Sequence, residues 1–351
     1  MSAEDVVDQT IERDVAVQEG QMEGDGERPM TKDQEKRCRK VEEILIRHRF
    51  FNRVIARLRR CAAVARQRIG DPPCMALVGD TGVGKTTIIE AFLKERRRQE
   101  TPEGSRIPYL YDLLPARATI KGTAGSLLEA LGDPNASRGT LWNMQSRLID
   151  YIRRCKVEML LLDEIQQLVD KRFGRVLDDV MDFLKVLVKK TRVPLVLIGQ
   201  RQAAETILHH PAADQLARLV GRPLVLRPFP WDRAHPATIR EFRALLRAID
   251  EALPLERSGL DDMERAQRIH VATAGSLGNI MELTRESAHT AIMTGYTRIE
   301  TVHLAEAYET RLCSDIAGDS KQTRRDAKSA TSDPVEINPF TCPFDSLMSV
   351  D

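Results

Sequence analysis

No uninterrupted apolar run in the 351-residue chain approaches the ~20 residues that a membrane span requires. The opening stretch is acidic and lacks the apolar core of a secretory signal, so the chain is expected in the cytoplasm, with no membrane contact. Its six cysteines (Cys38, Cys61, Cys74, Cys155, Cys313 and Cys342) are widely spaced and form no CxxC pair. That spacing speaks against zinc and leaves them as reduced thiols. The pair His209-His210 has no third ligand near it, which argues against a metal there. With 42% hydrophobic and 30% charged residues, the composition is that of a soluble globular protein, long enough for two compact units and tails.

Net charge is also nearly absent, at +1, but its distribution is uneven. Residues 1–35 hold eleven Asp/Glu against three Lys/Arg, and residues 36–69 hold twelve Lys/Arg against two Glu. A basic block of this density favours anionic partners, DNA first among them. The same pattern fits a solvated helix face or a surface that pairs with the acidic leader.

Hydrophobic periodicity divides the rest. Residues 1–34 form an acidic leader expected to stay disordered. In the basic segment 35–70, Val41, Leu45, Phe51, Val54, Ile55, Leu58, Ala62 and Ala65 recur at helical spacing, which predicts one or two amphipathic helices. Across 71–230, apolar runs at Met75–Val78, Ile107–Leu110, Val157–Leu162, Pro194–Ile198 and Leu224–Leu226 alternate with helical stretches at Thr86–Arg98, Thr123–Leu131, Thr140–Arg154 and Val176–Lys190. Such βα alternation implies a parallel sheet covered by helices on both faces. Trp142 falls at the start of one of these helices, ahead of Met144, Leu148 and Ile152, and reads as packing. From 231 to 312 the strands vanish and four helices are expected. The tail, 313–351, is polar but closes on VEINPFTCPFDSLMSVD, an apolar island that either docks on a partner or folds back on its own chain.

The most specific motif is GDTGVGKT at 79–86, a G-x-x-x-x-G-K-[ST] match expected by chance in roughly one chain in a hundred. An apolar strand precedes it and a helix follows. Its glycines let successive N–H groups turn toward phosphate oxygens, and the helix N-terminus adds its positive dipole end. Nucleotide contacts are assigned to Gly79, Asp80, Thr81, Gly82, Val83, Gly84, Lys85, Thr86 and Thr87, with Lys85 on the β and γ phosphates and the Thr86 hydroxyl on magnesium. The second motif, MLLLDEIQQ at 159–167, is a buried strand delivering two carboxylates to the sheet edge where α/β folds bind ligands. Asp163 would hold Mg²⁺ through water, and Glu164 would polarise the attacking water of ATP hydrolysis. PLVLIGQ ends in Gln200, which stands either at the γ-phosphate or simply in a loop. Arg218 and Arg222 precede the last strand; either can point into a neighbouring subunit's site or sit on the surface, and Arg218 is preferred because it precedes the break before the strand. No LSGGQ-type signature is present, which argues against a transporter ATPase.

The order GDTGVGKT, LLLDEIQQL, LKVLVKKTRVPLVLIGQ and TAGSLGNIMELTRESAHTAIMTG resembles the AAA+ superfamily, in its transposition-regulator branch of TniB and TnsC type, over about residues 40–310. The resemblance implies an α/β AAA+ P-loop fold, a parallel sheet flanked by helices with a small C-terminal helical lid. It also implies a slow, regulatory ATPase using ATP and Mg²⁺, and a homo-oligomer, ring or helical filament, on double-stranded DNA. Its partners would be a DDE transposase and a target-selection protein. In the family the DNA-facing contacts follow the second strand, here Arg117, Thr119, Lys121 and Thr123; these residues fit equally well as the cap of the next helix. Many AAA+ lids carry an arginine just after the second glycine, whereas here Asn279 follows Gly278 and the first arginine is Arg285. Either Arg285 substitutes, or the lid does not touch the γ-phosphate. Two alternatives remain: another DNA-acting AAA+ protein such as an initiator or helicase loader, and a signalling P-loop ATPase that gates protein contacts without DNA.

Overall fold

A computed structural model describes residues 29–67, 71–102, 104–116, 119–169, 174–209, 214–313 and 338–342. The acidic leader as far as residue 28, Arg117 and most of the tail lie outside the described residues.

Five short strands make the central sheet: β1 (Met75–Val78), β4 (Tyr109–Leu113), β5 (Met159–Asp163), β6 (Leu195–Gly199) and β7 (Leu224–Val225). Their spatial order is β4-β5-β6-β1-β7, and every neighbouring pair is parallel. Because side chains alternate along a strand, each strand must be apolar on both sides when helices cover both faces. Met75, Leu77, Met159, Leu161, Val196 and Ile198 enter one layer. Ala76, Val78, Leu160, Leu162, Leu195 and Leu197 enter the other.

The first layer is closed by α2 (Arg49–Gln67) and α3 (Lys85–Leu93). In α2, Phe51, Val54, Ile55, Leu58 and Ala62 recur at three and four residues and are buried, while Arg49, Arg53, Arg57 and Arg60 stand exposed on the far side. The second layer is closed by α4 (Ile120–Ala130), α5 (Leu141–Arg154), α6 (Gly174–Thr191), α7 (Arg201–Leu208) and α8 (Asp214–Val220). An antiparallel hairpin, β2 (Gln99–Thr101) with β3 (Gly104–Arg106), projects between α3 and β4. No apolar alternation announces it, because its residues stay at the surface and Thr101 closes the turn by donating to the Gly104 carbonyl at 2.7 Å. Trp142 overturns the packing expectation: it is 74% exposed, two positions before Met144 and so on the opposite side of the helix from the buried stripe Met144, Leu148 and Ile152.

The helical unit comprises α9 (Pro236–Ala252), α10 (Met263–Thr273), α11 (Leu277–Thr294) and α12 (Thr301–Ala307), the last continuing as a π turn through Leu312. The two helices of the basic segment part company. Whereas α2 belongs to the sheet, α1 (Lys32–Glu42), capped by Thr31, buries Val41 among the lid helices. The stretch between them, residues 43–48, bridges the two units. Asn338–Cys342 lies on the lid as well, with Phe340 buried beside Tyr308.

Asp250 organises the loop after α9. Its carboxylate is 1% exposed and accepts from the backbone N–H groups of Ser258 (3.0 Å), Gly259 (2.8 Å) and Leu260 (3.3 Å). Asp250→Ala would strand three donors in a dry loop and should destabilise the protein by about 2–4 kcal/mol, with Asp250→Asn intermediate. Chemical denaturation checks this; a loss under ~0.5 kcal/mol would contradict the role given to the carboxylate.

Candidate functional site

Parallel pairing sets the site. Val78 is in register with Gly199 and Val225, and Leu162 with Leu197, so the segments after β1, β5 and β6 emerge at one edge of the sheet. There the strand order changes direction, which is where open α/β sheets hold ligands.

The loop after β1 is built for close approach. Gly82 and Gly84 have φ of 79° and 90°, left-handed values that let the chain curl around an anion at no steric cost. The Lys85 ammonium folds back onto the loop and donates to the carbonyls of Gly79 (2.8 Å) and Asp80 (2.7 Å). Burial lowers its pKa, while the charges of Asp163, Glu164 and Asp80 act to raise it. These carbonyl contacts are ones that phosphate oxygens can replace. Thr86 and Thr87 follow at the exposed start of α3, and neither hydroxyl has a hydrogen-bond partner among the described residues.

Asp163 ends β5 and is 2% exposed. Its Oδ2 accepts from the Tyr111 hydroxyl (3.1 Å) and its Oδ1 from the Glu164 N–H (2.7 Å). Burial first, and then the adjacent Asp163 charge, push the Tyr111 phenol well above its ordinary pKa, so Tyr111 remains a donor to the carboxylate. Glu164 adopts φ 60° and ψ 40°, a left-handed conformation disfavoured for a side-chain-bearing residue by roughly 1–2 kcal/mol. That turn swings its carboxylate out of the strand line. The Gln166 side chain completes the arrangement: its amide N–H donates to Glu164 Oε2, and its Oε1 accepts from the Gln200 N–H at 3.3 Å. Gln200 caps α7 with exposed side-chain amide atoms that make no cap bond.

The lid reaches this loop directly. The Gly278 N–H donates to the Gly82 carbonyl at 2.6 Å, and the Ser276 hydroxyl to the same oxygen at 3.2 Å. A Cβ on Gly278 would lie 2.6 Å from that carbonyl and 3.0 Å from Gly82 Cα, so backbone must meet backbone here. Between lid and loop lies a cavity of about 650 Å³, within the range of small-molecule sites. Thr81, Gly84 and Thr87 line its loop side, Leu277, Asn279 and Met281 its lid side, and Ile44, Ile46 and His48 its third wall. His48 packs edge-on against Phe50, Phe51 and Phe229, and burial lowers its pKa to about 4, so the ring is neutral at physiological pH.

Of the residues expected at the site, Gly79 to Thr87, Asp163, Glu164 and Gln200 gather at this edge. Arg285 lines the same cavity but is engaged by α1: its guanidinium donates to the Glu42 carbonyl (3.2 Å) and lies 3.7 Å from the Glu42 carboxylate. Arg218 and Arg222 are exposed near the end of α8, and neither lines the cavity between loop and lid. Among the DNA candidates, Thr119 caps α4 through the Gly122 N–H (3.0 Å) and Lys121 is exposed. Thr123 is corrected: it is 1% exposed, on the buried side of α4, and cannot reach DNA. Tyr111, Gln166 and the wall at residues 44–48 were not anticipated. Only Gln166 had a signal, an amide two positions after the carboxylate pair.

The donor set suits a magnesium nucleotide. Among the described residues no cluster of three or more His, Cys, Asp or Glu could hold a metal alone. A hydroxyl at Thr86 and one buried carboxylate at Asp163 match the few protein ligands that Mg²⁺ takes when phosphates and water complete its shell.

Comparison with known proteins identifies the family and the fold. The sequence pattern of the bacterial TniB protein family matches residues 38–218, just over half of the chain, and the chain belongs to that family. No curated protein matches. The ORC2 protein of Aeropyrum pernix, in ADPNP and ADP complexes, superposes with a TM-score of 0.52 at 14% identity, over 78% of this chain and 71% of that one. The ORC1 protein of the same organism, in complex with DNA, gives 0.51 at 20% identity, over 77% and 66%. A Walker-type ATPase of Pyrococcus abyssi gives 0.52 at 14% identity, over 82% and 77%. These likenesses are of fold: a parallel sheet flanked by helices, followed by a smaller helical unit.

Two substitutions separate the loop from the lid. Lys85→Ala should abolish ATP binding in isothermal titration, because the phosphates lose their loop cation. Gly278→Ala leaves the loop intact but wedges the lid away, and should weaken ATP binding by about tenfold, on the order of 1.4 kcal/mol. Unchanged affinity in Lys85→Ala would overturn the loop assignment; unchanged affinity in Gly278→Ala would show that the lid contact plays no part in binding.

Proposed function

We propose that this TniB-family chain is an ATP-dependent, DNA-binding, oligomeric regulator of DNA transposition that couples target-site selection to a transposase. The observation that carries the reading is a curled glycine loop with a lid-walled cavity on one side and, at the same sheet edge, the buried Asp163 and the turned-out Glu164. In this account the loop N–H groups and Lys85 would hold the phosphates, and the lid and residues 44–48 would flank the base. Magnesium, held by Thr86 and through water by Asp163, would neutralise charge on the phosphoryl group. Glu164 would align the attacking water, and Gln200 would face the γ-phosphate. Phosphoryl transfer needs chiefly such positioning and charge stabilisation.

The bond from Gln166 to Glu164 supports slow hydrolysis. While it stands, the carboxylate is directed to an amide rather than to water, so ATP can persist while the protein is assembled. Arg218 and Arg222 are exposed and stand outside the lining of the cavity, so either is available to complete the site of a neighbouring copy. The exposed Lys121 and the row Arg49, Arg53, Arg57 and Arg60 supply cationic surface for a phosphate backbone read without base contacts.

Mixing two inactive variants tests the shared site. Arg218→Ala and Glu164→Gln should each bind ATP and hydrolyse it poorly. Together they form interfaces joining the Arg218 of one copy to the Glu164 of the other. An arginine finger is worth about 10³–10⁵ in rate, so even a minority of such interfaces should restore measurable turnover, rising with protein concentration. If the mixture stays inactive while both variants still assemble, Arg218 is not the finger and Arg222 takes its place in the same experiment. Wild-type hydrolysis with no concentration dependence would contradict a shared site altogether.

A further inference from the structure

The seat of Asn338–Cys342 on the lid is built like a peptide-recognition site. Asn338 is 8% exposed, and its side-chain amide donates to the Ala305 carbonyl (3.0 Å) and to Glu309 Oε1 (2.8 Å). Its Oδ1 accepts from the Phe340 N–H (3.0 Å), and its main-chain carbonyl accepts from the N–H groups of Thr341 (3.2 Å) and Cys342 (3.3 Å), so the segment forms a closed turn. Phe340, the apolar anchor, is 6% exposed, with its ring edge-on to Tyr308. From the lid, Arg268 donates to the carbonyls of Pro339 (2.6 Å) and Cys342 (2.9 Å), gripping the turn at both ends. One buried amide, one aromatic anchor and a guanidinium on two main-chain carbonyls make a specific contact from five residues.

The path that connects this turn to the lid is far longer than the gap it closes. The helix leaves the lid at Cys313, and Asn338 docks beside Ala305 and Glu309, four to eight residues back along the same helix, a distance of roughly 6–12 Å. The 24 residues from 314 to 337 intervene, and a chain of that length can span up to about 80 Å. Closure within one molecule requires only a few of them. That reach is long enough for the turn to leave its own lid for the lid of an adjoining copy.

We propose that this seat is an exchangeable docking site, and that in an assembly it receives the Asn338-Pro339-Phe340 turn of a second copy of the chain. The tail then occupies its own lid in the isolated molecule and ties one lid to the next when copies are brought together. Exchange needs no new contact, because every copy carries the same turn and the same seat.

The test uses full-length protein without nucleotide or DNA, so its outcome is independent of the ATPase reading. The probe is a fluorescent peptide, VEINPFTCPFD, under reducing conditions. A chain whose own tail is disabled by Asn338→Ala and Phe340→Ala should bind it. Wild type should bind it at least tenfold more weakly, because its own tail competes at roughly millimolar effective concentration. A peptide carrying Phe340→Ala should not bind, and adding Arg268→Ala to the tail-disabled chain should weaken binding at least tenfold. The decisive step mixes the tail-disabled chain with a second full-length chain carrying Arg268→Ala. The first offers only a seat and the second only a tail, so energy transfer between labelled copies should appear in the mixture and exceed that of either alone. Peptide binding without association in the mixture would confine the contact to one molecule and overturn the proposal. Failure of the peptide to bind would overturn the seat itself.

Discussion

The backbone contact between Gly278 and Gly82 is the constraint on which the rest depends. It joins two units with separate hydrophobic cores through a hydrogen bond of 2.6 Å between main chains. Because both partners are backbone, the distance cannot be absorbed by a rotamer change, and the lid position is read directly at the loop that would hold phosphate. The cavity, the approach of Leu277 to Gly84 and the third wall at residues 44–48 all follow from this seating. The linkage extends outward: α1 packs on the lid and α2 on the sheet, so any rotation of the lid also pulls the segment that joins them. The Glu42 contacts to Arg285 and to His289 (3.2 Å) fix the near end of that segment.

The two carboxylates at the sheet edge differ in environment, in keeping with the roles proposed for them. Asp163 is buried and its oxygens are occupied by Tyr111 and a backbone N–H, which suits a fixed charge that holds a metal through water. Glu164 is turned out of the strand by a left-handed backbone and held by a neutral amide, which can release it. The same Gln166 amide group touches the first residue after β6, so movement at Gln200 reaches Glu164 through one side chain. Under the proposed function, a restrained Glu164 suits timing of an assembly better than rapid turnover.

Much of this was legible in the chain itself, for identifiable reasons. The strands at Met75, Met159 and Leu195 are buried on both faces, so they appear as continuous apolar runs. The glycine loop, Asp163 and Glu164 follow them because site residues in this fold sit at strand ends. What escaped reading has a common cause, which is that periodicity records burial and not partnership. The β2–β3 hairpin is polar throughout and leaves no pattern. Tyr111 and Gln166 act by hydrogen bonds across strands, which no spacing in one dimension reveals. Trp142 reads as packing because it precedes a buried stripe, yet it stands two residues, about 200° of helix, from Met144, which turns it to solvent. Thr123 was set with the exposed residues of its loop although it lies on the buried side of α4. The basic segment read as one block, because charge density does not show that its first helix belongs to the lid and its second to the sheet.

The central claim, that nucleotide held between loop and lid converts this chain into an assembly on DNA, is tested most directly by electron microscopy. Purified protein would be imaged with double-stranded DNA, with and without MgATP. The account predicts ordered rings or filaments with DNA running through them when ATP is present, and isolated particles when it is absent. Identical assemblies in both samples, or nucleotide-dependent assemblies that exclude the DNA, would contradict it.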